Sequence, residues 1–130
     1  LCAFFGRARG NVVMELYTAQ YRYDGMDRID ITVKGQAVMG RHFAPTWDMV
    51  LGYKHKPNEY SQKLYTYEYL KMLANKQAST ERYAFDWLVS RETVTVVCFC
   101  VAGTFCHRYL LKDFLLFCYP DRVTYMGERT

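Results

Sequence analysis

The chain has 130 residues, of which 51% are hydrophobic and 17% aromatic, enough apolar matter for one packed core and too much for a disordered tail. Seventeen basic against thirteen acidic side chains leave a net charge of +4, which permits contact with phosphates, but no block of consecutive Lys or Arg marks a nucleic-acid arm. His107, Arg108, Lys112 and Asp113 interrupt the longest apolar candidate before it reaches the roughly 20 residues that span a bilayer, so no membrane partner is expected. Five cysteines, an odd number in a chain able to build its own core, argue for a reducing compartment, the cytosol, rather than a disulfide framework. Twelve tyrosines are expected mainly as half-buried core and rim residues.

Residues 1–13 are expected to be an upstream extension or arm, with Met14 opening a single domain over 14–130. Val12 to Arg22 is β-branched and aromatic and predicts a strand closed by Asp24-Gly25. Arg28 to Lys34 alternates strictly, Ile29, Ile31 and Val33 against Arg28, Asp30, Thr32 and Lys34, and predicts a second strand ended by Gly35. After a flexible connection, Thr46 is placed to cap a helix carrying Trp47, Val50 and Leu51. Asn58 is placed to cap the longest helix, Glu59 to Lys76, with Tyr60, Leu64, Tyr67, Lys71 and Ala74 as its apolar stripe, widened by Tyr65, Tyr69, Met72 and Leu73. Ser79-Thr80-Glu81 starts another helix, facing Tyr83, Ala84, Trp87 and Leu88 inward. Thr93 to Phe99 is a continuous β-branched run, the pattern of a strand covered on both faces. A helix from Cys106 to about Cys118 and a short strand from Arg122 to Met126 follow, and 127–130 trails off. The order predicts an α/β layered domain with a mostly parallel sheet of about four strands and helices packed on it.

Reactive groups concentrate between Cys98 and Arg108, where the central strand gives way to a helix. Ligands of open α/β sheets lie outside the carboxyl ends of the strands, so this stretch predicts a site. Cys106 is the candidate nucleophile, since a helix N-terminus and Arg108 both favour the thiolate. His107 is its candidate base, or a phosphate ligand, and Arg108 is expected to hold a carboxylate or phosphate in two-pronged fashion. Gly103 allows close backbone approach, Thr104 is placed to cap the helix, and Cys100 faces the ligand. Asp30, Thr32, Lys34 and Trp47 are expected to complete the pocket. Cys98 and Cys118 read as small core hydrophobes.

A metal reading competes with this one. Cys98, Cys100, Cys106 and His107 have the composition of a structural zinc centre, but Cys98 and Cys100 lack the usual knuckle spacing, and Cys106 and His107, as neighbours, point in different directions. No cofactor and no metal ligand are therefore assigned. Serine-triad, P-loop and phosphatase spacings are absent.

From about Met14 to the end the chain resembles the uncharacterised family called domain of unknown function 488. The residues that carry the likeness are Tyr17-Thr18-Ala19-Gln20-Tyr21, Arg28 to Lys34, Phe43 to Asp48, and above all Cys98-Phe99-Cys100 followed by Phe105-Cys106-His107-Arg108, with Tyr125 to Arg129 similar to its closing segment. The resemblance implies a small α/β protein of prokaryotes and their viruses with no agreed reaction, and an acidic residue in many relatives where this chain has Cys100. The functional expectation is a small anionic ligand, a nucleotide or nucleic-acid end, bound at Cys98 to Arg108, with thiol-based catalysis by Cys106. The alternatives are a non-catalytic module binding nucleic acid or protein, or a zinc-stabilised module.

Overall fold

The computed structural model describes residues 13–130, so the expected extension lies almost wholly outside the described residues. The elements run β1 (Met14–Gln20), β2 (Arg28–Asp30), a 3-10 turn (Gly40–Phe43), α1 (Trp47–His55), α2 (Glu59–Gln77), α3 (Arg82–Val89), β3 (Thr93–Cys98), α4 (His107–Cys118) and β4 (Val123–Arg129). The four strands form one sheet in the order β2-β3-β1-β4. Every pairing is parallel, so the expected α/β class with its four-stranded parallel sheet is the observed one.

Alternation along the strands sends Met14 and Leu16 of β1 and Val94, Val96 and Cys98 of β3 to one face, where they meet Leu111, Phe114 and Leu115 of α4. The helices gather on that side: Phe85 of α3 packs against both Phe43 and Phe114, and Tyr69 of α2 packs against His107. The opposite face carries Thr95, whose hydroxyl donates to Asp27 at 2.7 Å and accepts from Arg129 at 3.0 Å. There the Arg129 guanidinium lies over the Tyr17 ring at 3.5 Å, and Tyr23 donates to Asp27 at 2.5 Å. The connection from β1 to β2 therefore supplies part of the cover on the face the helices leave.

Several expectations shift. The second strand stops after three residues instead of seven, because the Asp30 carboxylate accepts from the Thr32 amide at 2.9 Å and its hydroxyl at 2.7 Å, folding the chain into a turn. Gly40 is required beside it, since a Cβ there would run into the Asp30 carbonyl oxygen. The stripe of α2 is Tyr65, Tyr69, Leu73 and Gln77, one turn apart. Tyr60 and Tyr67, expected inward, are exposed at 75% and 62%. In α3, Ala84, Phe85, Leu88 and Val89 are buried, whereas Tyr83 is exposed and reaches back to His42. In α1 no residue is buried, Trp47 included. The closing strand runs on through Arg129, where a trailing end was expected. Thr46 and Asn58 cap α1 and α2 as predicted, and Asn58 and Ser61 form a reciprocal capping box. Among the described residues no helix is long and apolar enough to cross a membrane.

Candidate functional site

The carboxyl ends of the parallel strands bring Asp30, Cys98 and Glu128 to one edge of the sheet, on β2, β3 and β4. Beyond Cys98 the chain crosses an exposed turn in which Gly103 adopts φ +81°, a left-handed conformation that glycine reaches without a Cβ clash. The Thr104 hydroxyl donates to the Val101 carbonyl at 2.6 Å and so closes this turn, and it is not the helix cap. The N-cap of α4 is Cys106, whose side chain makes no capping bond because its sulfur turns back towards the strand. Cys98 and Cys106 are paired sulfur to sulfur as a disulfide, where free thiols were expected, and Cys100 stands beside them as a free thiol, the three sulfurs lying within 4.8 Å of one another.

Among the described residues Arg108 is the largest fully buried side chain, and it organises this edge. Its Nη1 donates to Cys98 Sγ at 3.0 Å, to the Cys100 carbonyl at 2.9 Å and to Cys106 Sγ at 3.6 Å. Its Nη2 pairs with Glu128 Oε2 at 2.8 Å and donates to the Tyr109 hydroxyl at 3.0 Å. Glu128 also accepts from Thr18 at 2.5 Å and from Tyr109 at 3.0 Å. Burial would push the Glu128 carboxyl up, but the bonds from Arg108, Thr18 and Tyr109 outweigh it and hold the group below its ordinary range. The anion expected beside a guanidinium in the first turn of a helix is thus a carboxylate of the chain itself. Arg108 is not presented to solvent for a ligand.

His107 is buried, with Nε2 2.7 Å from the Ile31 carbonyl. A carbonyl only accepts, so Nε2 carries the proton and Nδ1 is left as the acceptor, facing Cys106 Sγ at 3.9 Å. Burial drives the imidazole down to about 4, against the pull of the Ile31 carbonyl. At neutral pH His107 is a neutral acceptor beside the sulfur, a weaker base than an ordinary imidazole. Burial pushes the Cys100 thiol up, opposed by the charges of Arg108 and Lys54.

Of the residues singled out from sequence, Cys98, Cys100, Cys106, His107 and Arg108 come together, and Asp30 and Thr32 flank the carbonyl that holds His107. Gly103 stays in the exposed turn, where its amide donates to the Tyr109 hydroxyl at 3.0 Å. Lys34 and Trp47 form a surface pair of their own, ammonium to ring centre 5.7 Å. A depression of about 340 Å³ beside the turn is lined by Glu59, Gln62, Lys63, Thr66, Tyr67 and Phe105, so Phe105 rather than Cys106 borders it. Glu128, Tyr109 and Thr18 were missed. No local signal announces Glu128, because β4 past Met126, where the strand is expected to end, is polar and only half-buried.

A family model described as the active DUF488-N3 subclade matches residues 7–117. The match begins inside the stretch read as an extension and stops short of β4, so Glu128 lies outside it. No curated protein and no solved structure matches the chain. On a match over most of its length, carrying the cysteine, histidine and arginine at the head of α4, the chain belongs to the DUF488 family.

Proposed function

We propose that the chain binds a phosphorylated or otherwise anionic ligand, a nucleotide or nucleic-acid end, over the sulfur cluster at the carboxyl edge of the sheet, and acts on it through Cys106 as a thiolate. One observation carries this reading: a buried guanidinium donates to the sulfurs of both Cys98 and Cys106. Once the Cys98–Cys106 pair is reduced, a cation held there favours the anionic sulfur, and the thiolate is the nucleophile. His107 Nδ1, an acceptor, can take a bond from the Cys106 thiol but not from its thiolate, so the anionic sulfur is left to Arg108. With Glu128 occupying Arg108, the ligand's charge falls to the N-terminus of α4 and to Lys54, whose charge already reaches Cys100. The description of the matched subclade as active agrees with a reaction at this edge. Thiolate chemistry of this kind belongs in a reducing compartment, the cytosol.

The test is a panel of nucleotides and end-phosphorylated oligonucleotides, assayed for binding and for turnover. Cys106→Ser is expected to keep binding and abolish turnover. Failure of the wild-type protein to bind any member, or turnover that survives in Cys106→Ser, overturns the reading.

A further inference from the structure

The spacing of Cys98, Cys100 and Cys106 argues against a metal knuckle in sequence, but the fold supplies what the spacing lacks. The end of β3 delivers Cys98, the next alternate residue is Cys100, and the exposed turn returns the chain so that the N-cap of α4 adds Cys106. All three sulfurs lie within 4.8 Å of one another. The Cα atoms of Cys98 and Cys106 are 8.0 Å apart, beyond the roughly 4.4–6.8 Å that a relaxed disulfide spans. The backbone thus sets these residues around a common point, farther apart than a relaxed disulfide would, and reduction of the Cys98–Cys106 pair frees both sulfurs to ligate.

The surroundings suit a metal-held thiolate. Arg108 Nη1 donates to two of the three sulfurs, the outer hydrogen bonding that orients ligating thiolates and offsets their charge. His107 beside them has its Nε2 anchored on a backbone carbonyl, and Cys98 and Cys106 are buried. Soft thiolate sulfur selects zinc among common divalent ions, and three protein ligands leave a fourth position of a tetrahedral ion open.

We propose that Cys98, Cys100 and Cys106 together bind a soft divalent cation of the zinc class, with the fourth position left to the anionic ligand. This rests on the thiolate reading above and deepens it. With Arg108 saturated by Glu128, the open metal position adds an electrophilic partner for the ligand to the helix N-terminus and Lys54. Each thiol gives up its proton to solvent as the metal binds.

The experiment is an anaerobic titration with Co²⁺ of protein that has been reduced and stripped by chelator. One equivalent is expected to saturate a sulfur-to-cobalt charge-transfer band, and zinc is expected to displace it. Cys98→Ser and Cys100→Ser are each expected to weaken binding by more than about 100-fold, and Arg108→Lys by about 10- to 100-fold. Cys100 is only half-buried, so its variant keeps the test valid if Cys98→Ser does not fold. The site is overturned if no band appears in protein whose three thiols are shown free by mass-resolved alkylation, or if the band survives Cys100→Ser. Such a failure leaves the thiolate reading intact, because the Cys106 thiolate is measured in metal-free protein.

Discussion

Arg108 shows how much one side chain decides. Its guanidinium is fully buried and its partner carboxylate part-buried, hence removing either leaves a charge without its partner, at greatest cost when the guanidinium is the one left. Arg108→Met is expected to cost about 3–5 kcal/mol in urea unfolding, and Glu128→Gln, which keeps hydrogen-bonding capacity, appreciably less. His107 makes a second prediction. Its folded value of about 4 lies below the ordinary 6.5, so the unfolded chain binds the extra proton between these values. The contribution is complete above pH 6.5 and is lost as pH falls from 6.5 to about 4, a total of about 3 kcal/mol. Urea midpoints of metal-free protein over that range are expected to fall steeply for wild type and less steeply for His107→Gln. Glu128, held below its ordinary range, extends the acid loss lower still, since its stabilising effect is present above 4.5 and disappears as the carboxyl protonates.

At the scale of elements, the caps were legible because they are local. Asn58 and Ser61 satisfy orphan amides whatever the tertiary fold does, and Asn58→Ala is expected to cost about 1 kcal/mol by the same urea assay. Gly40→Ala is expected to cost about 1–3 kcal/mol, because the added Cβ meets the backbone of Asp30 and not a flexible side chain. What was not legible was set by partners distant in sequence. The face of α2 turned on which of many tyrosines meets the core: Tyr69 goes inward because its hydroxyl finds the Phe43 carbonyl at 2.6 Å, whereas Tyr60 has an equally plausible period and stays in solvent. Likewise the alternation from Arg28 to Lys34 predicted seven residues of strand, but Asp30 competes for the Thr32 backbone and ends it.

For the whole molecule, strand and helix order sufficed to predict a parallel α/β sheet, since crossover connections leave few alternatives. The head of α4 also announced itself, through the clustering of cysteine, histidine and arginine. The electrostatic closure of that cluster did not, because Glu128 joins from the far strand only once β4 runs parallel beside β1, placing it opposite Thr18. That closure changes the role of Arg108 from a hand for the ligand to a fixed donor for sulfur.

The most direct test of this account is the ultraviolet absorbance of thiolate in reduced, metal-free protein at neutral pH, compared between wild type and Cys106→Ser. The account predicts a thiolate band in wild type that is absent from Cys106→Ser and largely lost in Arg108→Gln. Identical spectra for wild type and Cys106→Ser at neutral pH would contradict it.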